Sequence, residues 1–128
     1  MQDTQTKLEL ASRGLLMTSK SDYPFDYFSV AEESLDADLI KKISGKTNNL
    51  IQSISLEYLF SNMMRVYPEA SEQEKESAER YKNLLNILKV ELNSLQVYLI
   101  GSVEVDVYIA GLSGEGIVEG LKTKLIET

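Results

Sequence analysis

The sequence predicts a single α+β domain spanning residues 1–128, and three observations carry that prediction. Apolar residues recur at helical spacing in separate segments of the first two-thirds of the chain, and the pattern changes to strict alternation after Asn93-Ser94. No repeat, low-complexity tract or long linker divides the 128 residues. A domain near this size removes roughly two-thirds of its unfolded surface from water, enough for a core without covalent staples.

The first helix is expected from about Thr4 to Met17. Thr6-Lys7-Leu8-Glu9 has capping-box spacing, and Leu8, Ala11, Leu15 and Leu16 share a face. Gly14 within it is read as a close packing contact. Thr18 to Pro24 is a run of turn formers closed by a proline, hence a loop. Phe25 to Val30 has the aromatic and β-branched content of a strand, and Leu35, Leu39, Ile40 and Ile43 mark a helix stopped by Gly45. Asn49 to Ser55 alternates as a second strand, and Leu56 to Met64 reads as a short helix. The clearest helix follows. Ser71 with Glu74 forms a capping box, and Ala78, Tyr81, Leu84, Leu85, Leu88 and Leu92 make a continuous apolar stripe.

Three strands end the chain, over Gln96–Ile100, Val103–Gly111 and about Ile117–Glu127. Val103, Val105, Val107 and Ile109 face one way, while Glu104, Asp106 and Tyr108 face the other. A three-residue loop at Ser113-Gly114-Glu115, centred on Gly114, pairs Val107 with Leu121, Glu104 with Lys124 and Asp106 with Lys122. Periodicity leaves open whether helices cover one face of the sheet or both.

Composition narrows the chemistry. Cysteine is absent, which removes disulfides, thiolate metal sites and cysteine nucleophiles; histidine is absent too, which removes the Ser-His-Asp triad and His-ligated zinc. Twenty Asp plus Glu against 13 Lys plus Arg leave a net charge of −7, spread along both halves of the chain. That balance argues against direct nucleic-acid binding, which depends on clustered cations, and suits a basic partner. The polar start Met1–Lys7 and the short apolar runs lack a signal peptide or membrane span, so the protein is expected to be soluble and cytoplasmic.

Few constellations carry chemistry. Glu104 and Asp106 are paired carboxylates on one strand face, the arrangement of a glycosidase pair or a hard-cation site. Opposite Lys122 and Lys124 they are better read as the charge balance of a wet sheet face. Gly45-Lys46-Thr47 lacks the first glycine of a phosphate loop, because Ile40 stands where it belongs. Gly111-Leu112-Ser113-Gly114 has the G-x-x-G spacing of an RNA-binding loop but falls in a hairpin of an acidic chain. No nucleophile with a base is visible, so no enzyme activity and no cofactor are expected. Three features exceed what a fold alone requires: the polar loop 18–24, the connection Tyr67-Pro68-Glu69-Ala70, and a last strand that runs close to the final carboxylate, a good ligand for a divalent ion or an Arg fork.

Two stretches match a known family. Ala11-Ser12-x-Gly14-Leu15-Leu16 followed by Ser19-x-Ser21-Asp22-Tyr23-Pro24-Phe25-Asp26-x-Phe28 resembles the N-terminal signature of the nuclease A inhibitor family. Gln96-Val97-Tyr98, Gly101-x-Val103-Glu104-Val105-Asp106-Val107-Tyr108 and the closing Thr123-Lys124-x-x-Glu127-Thr128 are similar to its C-terminal part. The resemblance implies a three-layer α/β/α sandwich with a mainly antiparallel five-stranded central sheet. It also implies a monomer that binds a sugar-nonspecific, magnesium-dependent ββα-metal endonuclease one to one and occludes its active site. By the same resemblance the Thr128 carboxylate points at the partner's metal, the inhibitor holding no metal of its own, and Ser19, Lys20, Ser21, Asp22, Tyr23, Tyr67, Glu69 and Glu127 supply further contacts. Two positions depart from the family pattern. Lys20 stands where the family loop is acidic, and no tryptophan is present to act as the aromatic anchor before the long helix, leaving Tyr67 as the candidate. These departures keep a second reading open, an interaction domain for a non-nuclease partner.

Overall fold

A computed structural model describes residues 3–17, 21–32, 34–46, 49–113 and 117–126. The first helix, α1 (Thr4–Ser12), starts at Thr4 as the sequence suggests, but with a different cap: Asp3 accepts from the Thr6 backbone N–H at 2.8 Å, so the Thr6/Glu9 box does not form. It also ends five residues short of Met17. Gly14 takes φ +79°, a left-handed conformation that turns the chain out of the helix and corrects the packing role expected for it. Leu16–Met17 then form a short strand, β1, paired antiparallel with β2 (Tyr23–Pro24), Met17 opposite Tyr23. The end of the expected 18–24 loop is therefore a strand, with Pro24 tolerated because a two-stranded ribbon leaves one edge without a partner.

The remaining elements follow the sequence closely. They are β3 (Asp26–Val30), α2 (Ala37–Ser44), β4 (Ile51–Ile54), α3 (Leu56–Met64) and α4 (Glu72–Glu91), then β5 (Asn93–Ile100), β6 (Glu104–Leu112) and β7 (Val118–Ile126). Asp36 and Ser55 cap α2 and α3 through the Leu39 and Tyr58 amides, and Ser71 and Glu74 close the expected capping box on α4. Asn93-Ser94 does not separate α4 from the sheet but opens β5, with Ser94 at φ 54° beside a shift in the β5–β6 register.

The main sheet is wholly antiparallel in the order β3-β7-β6-β5-β4. Alternation on its strands feeds two cores. On one face Val97, Val107, Ile109 and Leu121 pack with Leu8 of α1, Phe60 of α3, and Leu84 and Leu88 of α4. On the other, Ile100, Tyr108, Ala110 and Val118 pack with Ile40 of α2. Helices cover both faces, so the three layers implied by the resemblance are present. At about 25 cal/mol per Å² of apolar surface removed from water, such double burial is the main stabilising term.

The β6–β7 register differs by two residues from the expected one. Val107 lies opposite Thr123, Asp106 opposite Lys124 and Tyr108 opposite Lys122. An even shift keeps every side chain on its face, which is why the apolar pattern alone did not exclude it. The cause is the loop: the last pair is Leu112 with Val118, and Ser113 N–H donates to the Ile117 carbonyl at 3.0 Å, so five residues connect the strands instead of three. Gly114 and Glu115 of the expected loop lie outside the described residues.

Candidate partner-binding site

The β1–β2 hairpin is the element around which the candidate residues gather. On one side it rests on α4. The Tyr81 hydroxyl donates to the Leu16 carbonyl, and an Arg80 guanidinium N–H donates to the Arg13 carbonyl. Beneath these contacts Phe25, Phe60 and Tyr81 form three edge-to-face ring pairs with centroids 5.2–6.2 Å apart. This cluster fixes where the chain leaves α1 and where it enters β3.

On its other side the hairpin meets the last strand. Thr123 Oγ1 donates to the Tyr23 carbonyl at 3.3 Å, and Lys124 Nζ lies 6.0 Å from the centroid of the Tyr23 ring, within cation–π reach. The same ammonium pairs with Glu104 Oε1 at 2.6 Å. Next to it Lys46, just beyond α2, donates to the Glu104 carbonyl at 3.0 Å and pairs with Asp106 Oδ1 at 3.4 Å. Tyr23, Asp26, Asp106, Tyr108, Lys122 and Lys124 line a cleft of about 300 Å³ here.

This arrangement decides the two carboxylates singled out in the sequence. Glu104 is held ionised, its pKa lowered by the hydrogen bond from Lys124, which is itself raised by Glu104. Asp106 faces Lys46. Each acid has a cationic partner, the charge balance of a wet sheet face. Lys46, the lysine of the incomplete phosphate-loop motif, is engaged in the same network; Thr47 lies outside the described residues. Gly111 of the G-x-x-G match sits within β6 opposite Glu119. Among the described residues no group of three or more acidic side chains is placed to hold a metal ion, and no helix is long and apolar enough to cross a membrane.

The sequence-predicted contact residues divide into three sets. Ser21 and Asp22 are exposed, and Tyr23 is partly buried against β7. Tyr67 and Glu69 lie on an exposed turn closed by the Ala70 N–H to Tyr67 carbonyl bond at 3.0 Å, with Pro68 at the position where its fixed φ favours the turn. Tyr67 is 54% exposed and accepts from Arg65 at 3.3 Å. Across a cleft of about 370 Å³, lined by Leu16, Met63, Arg65, Glu74, Ser77 and Tyr81, the end of α3 and Arg65 face the β1 side of the hairpin. Ser19, Lys20, Glu127 and Thr128 lie outside the described residues; β7 is paired as far as Ile126, opposite Glu104. Thr123 and Lys46 stand in the sequence only within a family match and an incomplete phosphate loop, with no sign that they meet Tyr23 or Glu104, and Lys124 reads there as charge balance.

Two phenols near the hairpin tie stability to alkaline pH. Burial, with the Asp22 carboxylate second, raises the Tyr81 pKa to about 12. Burial, with the hydrogen bond to Glu119 second, raises Tyr27 to about 12 as well; its hydroxyl donates to the buried Glu119 carboxylate at 2.8 Å. The unfolded chain loses these protons near pH 10 while the folded chain keeps them, so the unfolded state binds fewer protons and stability falls with rising pH. Their contribution is complete below pH 10 and declines as pH approaches about 12. Urea midpoints measured from pH 8 to 12 are expected to drop over that window, less steeply for Tyr27→Phe and Tyr81→Phe; an unaltered slope in both variants would refute the assignment.

Compared with known proteins, residues 2–128 match the family model described as nuclease A inhibitor-like protein. A search of curated protein sequences gives no significant match.

Proposed function

The chain belongs to the nuclease A inhibitor-like family, and on that premise we propose that it is a non-catalytic, cytoplasmic inhibitor of a sugar-nonspecific, magnesium-dependent ββα-metal endonuclease. It binds as a monomer, one to one, and occludes the active site with the Thr128 carboxylate directed at the partner's metal. A nuclease cleft that grips phosphodiesters is cationic, and a chain of net charge −7 is attracted to it before any contact forms. At the metal, a carboxylate oxygen stands in for a phosphate oxygen. The observation that carries this reading is the junction of Tyr23 with Thr123 and Lys124, which joins the segment preceding Pro24 to the strand that leads to Thr128. Tyr67 on its exposed turn supplies the aromatic contact in place of tryptophan.

The test is a titration of such a nuclease with the wild-type chain, a chain lacking Thr128 and a Lys20→Glu variant. Wild type is expected to abolish cleavage at one equivalent. Removing Thr128 is expected to weaken inhibition about 100-fold, the scale for truncating one side of a desolvated charged contact. Lys20→Glu is expected to tighten it, because an acid replaces a cation beside a cationic cleft. The presence of Lys20 and the lack of tryptophan favour a second reading, an interaction domain for a non-nuclease partner. Absence of inhibition by all three proteins would count against the first reading and for a different partner.

A further inference from the structure

We propose that Lys124 is a positioning residue that latches the β1–β2 hairpin to the terminal strand, so that the two segments meet a partner as one preformed edge. The inference rests on the inhibitor reading above and adds to it a group that has no need to touch the nuclease.

The geometry is unusual for a surface lysine. Asp106 lies directly across the sheet from Lys124, but Lys46, just beyond α2, reaches it at 3.4 Å. Lys124 turns instead along the diagonal to Glu104, and its ammonium ends between the Glu104 carboxylate at 2.6 Å and the Tyr23 ring at 6.0 Å. Three strands, β2, β6 and β7, therefore meet at one charge. Thr123 grips Tyr23 again through its backbone carbonyl, and because successive side chains of a strand point to opposite faces, Tyr23 is held by two neighbouring residues of β7 from two directions. In a short two-stranded ribbon paired over Leu16–Met17 and Tyr23–Pro24, these contacts to β7 fix the hairpin against the strand that leads to the C-terminus. Holding both segments in their bound arrangement lowers the ordering cost of association, and a chain that must find the arrangement first binds more weakly by the fraction of time it spends there.

Charge alone predicts the opposite sign for the same residue. Removing a lysine from an acidic inhibitor of a basic cleft strengthens attraction, whereas removing a latch weakens binding. Lys124→Met keeps most of the stem of the side chain and deletes the ammonium that pairs with Glu104 and faces Tyr23. Inhibition of a sugar-nonspecific ββα-metal nuclease by this variant is expected to weaken about 10-fold, with the thermal midpoint within about 2 °C of wild type, since exposed ion pairs contribute little to folding. Lys124→Arg, which retains the charge and its reach to both partners, is expected to stay close to wild type. In a chain lacking Thr128, Lys124→Met is expected to add clearly less than its full loss, because one of the two segments it joins has lost its terminal contact. Unchanged or tighter inhibition by Lys124→Met, or full additivity with the loss of Thr128, would overturn the latch. A wild-type chain that fails to inhibit would overturn the nuclease reading instead. The latch is then decided by amide relaxation of Ser21, Asp22, Leu125 and Ile126, where greater nanosecond motion in Lys124→Met upholds it and identical order parameters refute it.

Discussion

Phe60→Ala is expected to destabilise the protein by about 3–5 kcal/mol, the range for deleting a fully buried aromatic ring. Phe60 has no exposed surface and sits on α3 with Phe25 at 6.0 Å and Tyr81 at 5.2 Å, both edge to face. Alanine removes the ring's transfer free energy and both ring contacts, and the cavity closes only partly because its walls come from α3, α4 and the chain entering β3. The loss reaches the candidate site by a short route. Tyr81 also donates its hydroxyl to the Leu16 carbonyl, and Phe25 directly follows the β2 strand, so any relaxation of either ring into the void displaces the hairpin. Urea unfolding followed by far-UV circular dichroism measures the effect. Phe60→Leu, which fills most of the volume, is expected to cost distinctly less. A change below about 1 kcal/mol for Phe60→Ala would mean that the three rings are not packed as a unit.

The long elements were legible in the sequence because their local signals and their tertiary contacts agree. The α4 stripe from Ala78 to Leu88 is buried as the periodicity requires, and Ser71 with Glu74 caps it. The β6 alternation sorts Val107 and Ile109 into one core and Tyr108 and Ala110 into the other. What the sequence concealed depends on contacts distant along the chain. Leu15 and Leu16 continue the face of α1 on paper, but Gly14 turns the backbone and Leu16 pairs with Pro24 instead. No local pattern announces a two-residue strand whose stability comes from Tyr81, 65 residues away, and from Thr123, 100 residues from Tyr23. The β6–β7 register was similarly hidden, since shifts of two residues are indistinguishable by alternation and only the length of the loop discriminates them. For the candidate site, the sequence pointed to the segments but not to their joint. Tyr23 was singled out on resemblance, while the ammonium that holds it belongs to a residue whose charge looked fully explained by the acids across the strand.

Gly120→Ala is expected to be as disruptive as any core deletion, costing about 3 kcal/mol or more although it adds one methyl group. Gly120 lies in β7, between β3 and β6, opposite Phe28 on one side and Ala110 on the other. A Cβ built there falls 1.8 Å from the Ile109 carbonyl oxygen, 2.9 Å from its carbon and 3.1 Å from the Ala110 Cα. All three are backbone atoms of a paired strand, so no rotamer change relieves the overlap; β6 and β7 must separate or slide. Above them lie the fully buried Ala110 and Val118, with Phe28 edge to face on Tyr108 at 5.4 Å, which leaves no room to absorb the movement. Gly45→Ala is the useful comparison. Gly45 has φ +76° but nothing within 4 Å of an added Cβ, so its cost is confined to backbone conformation, about 1–2 kcal/mol. A larger loss for Gly120→Ala than for Gly45→Ala, measured by urea unfolding, separates close approach from backbone strain; the reverse order would refute the packing argument. Thr123 and Lys124 follow Gly120 by three and four residues on the same strand, so separation of β6 from β7 there stretches the Lys124–Glu104 pair that spans the two strands. Any folded population of Gly120→Ala is accordingly expected to lose inhibition along with stability.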